Sequence, residues 1–361
     1  MRAIWLKYLV CFSYKILKKV FFLAEKEKMV YYSNMEKIFE FEFLKYENFM
    51  VWLKINQIKT KPLYNFLKNQ GFSERYLTFL RKSTDNILIN GKPSKIIDAI
   101  SSQDLLSLKV DFTFKRPQDF AYYPKYSILK KEYILDIVFE DDFFLIVNKP
   151  ALLASIPTKS HFNDNLLLRS IIYLSQKNQD KSNLLCAPRI LNRLDFDTAG
   201  LIVIAKNLFA CILATKANFQ KTYYALCNGL CKKNLINRKE IITLKDENNI
   251  NIRRRILGQE TKNIQTTALP VSFNEEKNLT LFKVEIKGGK THQIRVHLSS
   301  LGFDLVGDEI YGKKENFITH TALVCKELNF IHPLTNEKMV FTVPFPKDIE
   351  NLLQITGSKI L

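Results

Sequence analysis

The stretch RLDFDTAGLIVIAK, from Arg193 to Lys206, narrows the choice of fold more than any other part of the chain. Its β-branched run LIVIA reads as a buried strand, and the Asp-x-Asp-Thr-Ala-Gly ahead of it reads as a turn. Asp and Thr side chains cap such turns, and Gly200 supplies a permissive backbone. Turn chemistry alone therefore accounts for both carboxylates, Asp195 and Asp197. Whether either does more depends on the rest of the chain.

The segment ILDIVFEDDFFLIVNKP alternates, turns at Asp141 and Asp142, and ends in a Lys149-Pro150 punctuation, the pattern of a hairpin. Short strands and helices follow to the end of the chain, with no internal repeat. The expected unit is an α+β domain over residues 132–361, with a largely antiparallel mixed sheet. Upstream, KPLYNFLKNQGFSERYLTFLRKSTDNILINGKP carries two helical segments split around Gly71 and Ser73, then a tight hairpin signal at Asn90-Gly91. Two helices and a hairpin make a small α/β module over residues 35–114. Residues 115–131, with two prolines and no clear period, read as a linker. Residues 1–34 resemble a signal peptide only superficially, because Lys7, Lys15, Lys18 and Lys19 interrupt the apolar run. MEKIFEFEF from Met35 looks like the start of a first strand, so the segment before it is expected to be a basic extension without function.

The chain has 361 residues and a formal charge of +18, from 54 Lys and Arg against 36 Asp and Glu. That excess favours a polyanionic partner such as RNA, although a Lys-, Asn- and Ile-rich composition contributes to it. No run of uncharged apolar residues is long enough for a membrane span. The six cysteines form no paired framework, so free thiols in a reducing cytoplasm are expected, and no metal.

Beyond Arg193–Lys206 and VFEDDFFLIVNKP, three more stretches bear on chemistry: QKTYYALCNG from Gln220, KGGKTHQIRVHLSSLGFDLVGDEIYG from Lys287, and TALVCKELNFIHPLTNEKM from Thr321. In content and order the five resemble the RluA-like family of RNA pseudouridine synthases, over roughly residues 131 to 350. The upstream module resembles, more loosely, the S4 RNA-binding domain. The resemblance implies that Asp195 is the catalytic residue, with Asp197 shaping the turn. It implies that Tyr223 lies against the target uracil and that Arg295 pairs with the Asp195 carboxylate. Arg193, Lys221, His292, Gln293 and Leu323 are the implied substrate-binding residues. The chain departs from the family pattern at Asn192, at Thr198-Ala199-Gly200, at Leu323-Val324-Cys325 and at Leu152.

The chemistry fits this set. Turning uridine into pseudouridine breaks the N1 to C1′ bond, rotates the uracil and rejoins it through C5, with no cofactor. One ionised carboxylate suffices, as nucleophile or as base on the C2′ proton. Arg295 would keep Asp195 ionised and fix it by paired hydrogen bonds. The base must leave its stack, and Arg193 is a candidate to fill the gap. Other readings are weaker. GGKT lacks the upstream glycine of a phosphate-binding loop, His292 and His297 have no third metal ligand, and Asp195 and Asp197 stand too close for a glycosidase pair. A noncatalytic RNA-binding protein of the same fold is the principal alternative. The expected protein is a cytoplasmic monomer acting on ribosomal rather than transfer RNA, with no DNA or membrane partner.

Overall fold

The computed structural model describes residues 40–47, 50–109, 134–177, 188–247 and 251–354. The expected extension at 1–34 and linker at 115–131 lie outside these residues. The chain divides into two compact units, one of residues 1–110 with 332–337, the other of residues 111–331 with 338–361.

In the first unit, β1 (Phe41–Glu47) and β2 (Met50–Ile55) form an antiparallel pair. After β3 (Lys61–Pro62) come α1 (Leu63–Asn69) and α2 (Glu74–Leu80), which begins where Ser73 accepts a hydrogen bond from the Tyr76 N–H at 3.3 Å. The helices bury Leu63, Phe66, Leu67, Tyr76, Leu77 and Leu80, one apolar stripe from each, as their 3.6-residue spacing requires. The remaining strands are β4 (Ile87–Ile89), β5 (Lys92–Pro93), β6 (Ala99–Ile100) and β7 (Leu105–Lys109). The β4–β5 hairpin turns at Asn90 and Gly91, both with positive φ (53° and 78°), as a tight Asn-Gly turn demands. The main sheet runs β1-β2-β7-β4-β5.

The second unit contains β8 (Ile137–Glu140), β9 (Phe144–Lys149), α3 (Leu166–Lys177), β10 (Arg189–Ile190), β11 (Ala199–Ala205), α4 (Leu208–Ala214), β12 (Gln220–Asn228) and β13 (Leu235–Asn237). There follow β14 (Lys239–Lys245), β15 (Asn251–Glu260), β16 (Gln265–Asn274), β17 (Leu279–Lys287), α5 (Gln293–Ser300), β18 (Leu323–Ile331), β19 (Lys338–Thr342) and α6 (Lys347–Gln354). The sheet runs β13-β16-β17-β12-β18-β11-β9-β8, with β10 added to β11 and β19 to β18. All of its described pairings are antiparallel except β11 with β18. This is the α+β architecture expected from the sequence. Among the described residues no helix is long and apolar enough to cross a membrane.

Two features of this sheet position the site. Every residue of β11 is buried, so the LIVIA run is a central strand covered on both faces. Its parallel contact with β18 begins at Ala199 and Gly200, where a Cβ on Gly200 would stand 2.3 Å from the Cys325 carbonyl oxygen. Only glycine allows that approach, and its φ of +116° is one that side-chain-bearing residues avoid. The turn carrying Asp195 and Asp197 is thereby delivered beside the start of β18. The hairpin before β9 turns at Asp141, whose carboxylate accepts from the Phe143 and Phe144 N–H groups at 2.7 and 2.6 Å.

Candidate functional site

The turn between β10 and β11 is held from several sides. Asn192 donates to the Leu201 carbonyl at 3.2 Å and accepts from the Val203 N–H at 2.8 Å, standing in for a strand partner of β11. Buried Ser155 donates to the Leu194 carbonyl at 2.7 Å and accepts from its N–H at 3.1 Å. The Thr198 N–H donates to the Asp195 carbonyl at 3.1 Å, closing the turn itself. The Asp195 carboxylate thus projects from a backbone whose two flanks are pinned, which fixes the point from which it emerges.

Lys149 contributes a further tie. Its side chain has no exposed surface, and its Nζ donates to the carbonyls of Pro150 and Leu153 at 2.8 Å each and of Phe196 at 3.4 Å. The Lys-Pro pair, read from the sequence as punctuation, therefore links the end of β9 to the turn that bears Asp195. Burial pulls the Lys149 ammonium down to about 7, against the opposing pull of Asp195 and Asp197. The folded value lies below the unfolded one, so at pH values between them the unfolded chain holds the extra proton and stability rises with pH. Relative to Lys149→Met, the native protein should therefore gain about 2 kcal/mol between about pH 7 and about pH 9. Urea denaturation of both proteins at the two pH values checks this; a constant difference between them would show that Lys149 keeps an ordinary value.

Arg295 sits on α5 with 1% of its side chain exposed. The sequence reading has its two-pronged face on Asp195, and the structure corrects this. Nε and Nη2 donate to the two carboxylate oxygens of Asp308 at 2.7 and 2.6 Å, a fully buried fork. Only Nη1 turns to the site, 3.7 Å from Asp195 Oδ2 and 3.5 Å from Asp197 Oδ2. Burial alone would lower the Arg295 pKa, but Asp308, followed by Asp195 and Asp197, outweighs it and raises the value. Asp308 is in turn held low by Arg295 and by the Ile310 and Tyr311 N–H groups, against its own burial. Gly307, with φ of +74°, lets the preceding backbone pass against His320, where a Cβ would lie 2.3 Å from a carbonyl oxygen.

Tyr223, on β12, is 6% exposed and faces Cys325 across the strand pair with β18. Burial, then Cys325 and Asp195, push its phenol well above the ordinary value, so it meets a substrate as a hydroxyl. His292 caps α5 in the left-handed region at φ 59°, with Nε2 4.0 Å from Asp195 Oδ2 and Nδ1 3.0 Å from the Tyr311 hydroxyl. Gln293 is occupied elsewhere. Its amide donates to the Gln265 and Lys287 carbonyls at 2.9 Å and accepts from the Lys290 N–H at 3.0 Å, which fastens the Gly288-Gly289 loop. With 2% exposure it holds that loop at the edge of the space beside Asp195.

These residues surround a cavity of about 1080 Å³ lined by Arg193, Asp195, Phe196, Lys221, Tyr223 and Lys290 among others. A smaller recess of about 70 Å³ joins Asp195, Tyr223, His292, Arg295 and Leu323. Arg193 is exposed and borders both spaces. Lys221, Lys283 and Lys290 place positive charge on the larger rim, tempered by Glu285 and Glu327. The arrangement is an anionic carboxylate at the end of a basic, open cleft, with a protonated phenol and apolar Leu323 beside it. It suits a large polyanion that inserts one flat group next to the acid.

The sequence reading missed Asp308, Lys149, Ser155 and Tyr311. Asp308 and Tyr311 stand in the quoted GDEIYG run, and Lys149 in NKP, but nothing local says that a distant side chain needs them.

A family model described as RNA pseudouridylate synthase matches residues 143–300. A Bacillus subtilis protein described as an uncharacterized RNA pseudouridine synthase, YhcT, is 35% identical over 232 residues, covering 63% of this chain and 74% of that protein. A second one from Bacillus subtilis, YjbO, is 29% identical over 288 residues, 79% of this chain and 95% of that protein. The ribosomal large subunit pseudouridine synthase D of Zymomonas mobilis is 28% identical over 244 residues, 61% of this chain and 72% of that protein.

Proposed function

Because the chain belongs to the RluA-like family of RNA pseudouridine synthases and so isomerises uridine in RNA, we propose that Asp195 carries the reaction and that the RNA is ribosomal. The observation that supports Asp195 most is its setting: a carboxylate on a pinned turn, at the edge of a basic cleft, with Arg295 and His292 both approaching its Oδ2. That oxygen is then the oriented one, and Oδ1 is offered to the ribose of an extruded uridine. As an ionised carboxylate, Asp195 drives cleavage of the N1 to C1′ bond, and the freed uracil turns and rejoins through C5. Tyr223 and Leu323 flank the uracil, the Tyr223 phenol is protonated as substrate arrives, and the C5 proton displaced on rejoining passes to solvent while N1 takes one up.

Arg193 enters the vacated stack, and Lys221, Lys283 and Lys290 contact phosphates along the cleft. The module of residues 35–114 adds RNA affinity in the manner of an S4 domain. Exposed Arg75, Arg81, Lys82 and Lys95 on its helices and loops support that role. Likeness to the ribosomal large subunit pseudouridine synthase D of Zymomonas mobilis favours ribosomal over transfer RNA.

RNA carrying tritium at uracil C5 tests the reading, because rejoining at C5 releases that label. Release from ribosomal RNA, and loss of one pseudouridine from ribosomal RNA when the gene is removed, are the expected results. Binding without release would favour the noncatalytic alternative, and release from transfer RNA alone would move the substrate.

A further inference from the structure

We propose that Tyr311 and His292 form a positioning pair for Asp195: the Tyr311 hydroxyl fixes the imidazole tautomer, so that an Nε2–H faces Oδ2 and Oδ1 is left for the ribose. The proposal rests on Asp195 being the catalytic residue.

The hydrogen bonds at Tyr311 leave the imidazole one arrangement of its proton. The backbone N–H of Arg255 donates to the Tyr311 hydroxyl oxygen at 2.7 Å. A backbone N–H can only donate, so the hydroxyl accepts there and its own proton is available to His292 Nδ1 at 3.0 Å. A neutral imidazole that accepts at Nδ1 must carry its proton on Nε2, the nitrogen 4.0 Å from Asp195 Oδ2. The opposite tautomer would point a nitrogen lone pair at a carboxylate oxygen, which is repulsive. A separation of this size is ordinary for a catalytic hydrogen bond in a substrate-free enzyme.

The surroundings hold both partners still. Tyr311 is anchored by its N–H on Asp308 at 3.2 Å and by its carbonyl, which accepts from the Ser299 hydroxyl at 2.8 Å. Its ring lies under Arg254 and Arg295, at 5.6 and 5.7 Å from the guanidinium carbons. His292 has a left-handed backbone at φ 59°, a strain for a residue with a Cβ of the kind that clusters at functional sites. The charged groups around the imidazole are Asp195 from the turn before β11, Arg255 from β15, Arg295 from its own helix, and Asp308 from the loop that carries Tyr311. Burial, opposed by Asp195 and reinforced by Arg295 and Arg255, lowers the His292 pKa, so the ring is neutral where its tautomer matters.

The test is kcat and KM for tritium release between about pH 5 and about pH 8. Tyr311→Phe should lower kcat about tenfold at the alkaline end, with KM little changed, since one hydrogen bond to a charged group is lost. That deficit should close as pH falls, because an imidazolium carries N–H on both nitrogens whatever its neighbour does. His292→Asn keeps a side chain that tolerates the left-handed backbone but loses the Nε2–H, and should show a similar deficit at every pH. The double variant should be no worse than His292→Asn, because the hydroxyl acts through the ring. Parallel pH profiles for Tyr311→Phe and the parent, or additive losses in the double variant, would overturn the proposal. Should Tyr311→Phe not fold, His292→Gln replaces it: its amide nitrogen stands as many bonds from Cβ as Nε2 does, so it should exceed His292→Asn, and equality would overturn the proposal. Asp195→Ala in the same assay separates the two ideas. An active Asp195→Ala removes the catalytic assignment, whereas an inactive one alongside parallel profiles removes only the positioning pair.

Discussion

Asp195→Ala is expected to abolish tritium release, by more than about a thousandfold, while the protein stays folded and binds RNA almost as tightly as before. The carboxylate is 24% exposed at the edge of the cleft, so its loss opens no core cavity. The turn keeps its ties to Asn192, Ser155 and Lys149, all made to backbone atoms that alanine leaves in place. On the proposed reading the Lys and Arg side chains of the cleft supply most of the affinity through phosphates, and the substitution leaves them in place. Asp197→Ala should be far milder, although Asp197 stands nearer to Arg295 Nη1, at 3.5 Å, than Asp195 does. Measured turnover of both variants on one RNA decides the matter: residual activity of Asp195→Ala above a few per cent, or an exchange of severities, would show that the wrong acid has been assigned.

The second large effect belongs to Asp308. Asp308→Ala is expected to cost about 3–5 kcal/mol of stability, because it leaves the Arg295 guanidinium charged and buried with two donors unmatched. Arg295 and Asp308 have 1% and 0% of their side chains exposed, so water cannot replace the lost partner. Turnover should fall along with stability, since the fork on Asp308 is what aims Nη1 at Asp195. Arg295→Lys should be impaired as well, because an ammonium keeps the charge but cannot grip both oxygens of Asp308 while reaching the site. Denaturant melts of Asp308→Ala, Asp308→Asn and Arg295→Lys read the first effect, and turnover of whatever folds reads the second. The pair also has a pH signature. Asp308 is held below its ordinary value in the folded protein, so its contribution is complete above the unfolded carboxylate value and is lost as pH falls through the folded one. A melt of Asp308→Ala within about 1 kcal/mol of the parent would show that the fork contributes little to stability.

The amino-acid sequence by itself determined the α+β class, the hairpin at Asn90-Gly91, the central strand from Ala199 to Ala205 and the acids at its head. These are local matters. An Asn-Gly turn, a run of β-branched residues and an Asp ahead of it each state their preference within a few positions, and the order of the five motifs places Asp195, Tyr223 and Arg295 in one family pattern. The partners of those residues were another matter. The helix from Gln293 shows that Arg295 belongs to the site, yet whether its fork grips Asp195, Asp197 or Asp308 depends on which carboxylate the loop after Gly307 brings under the guanidinium. Nothing in the sequence around Gln293 shows the backbone carbonyls of Gln265 and Lys287 that its amide meets. Lys149 reads as turn punctuation until the Phe196 carbonyl, 47 residues away, comes within 3.4 Å of its ammonium. Hydrogen-bond saturation is the physical reason. A side chain's type and place on an element follow from short-range patterns, whereas the donors and acceptors that satisfy it once buried come from distant segments, and only the packed tertiary structure decides which of them arrive.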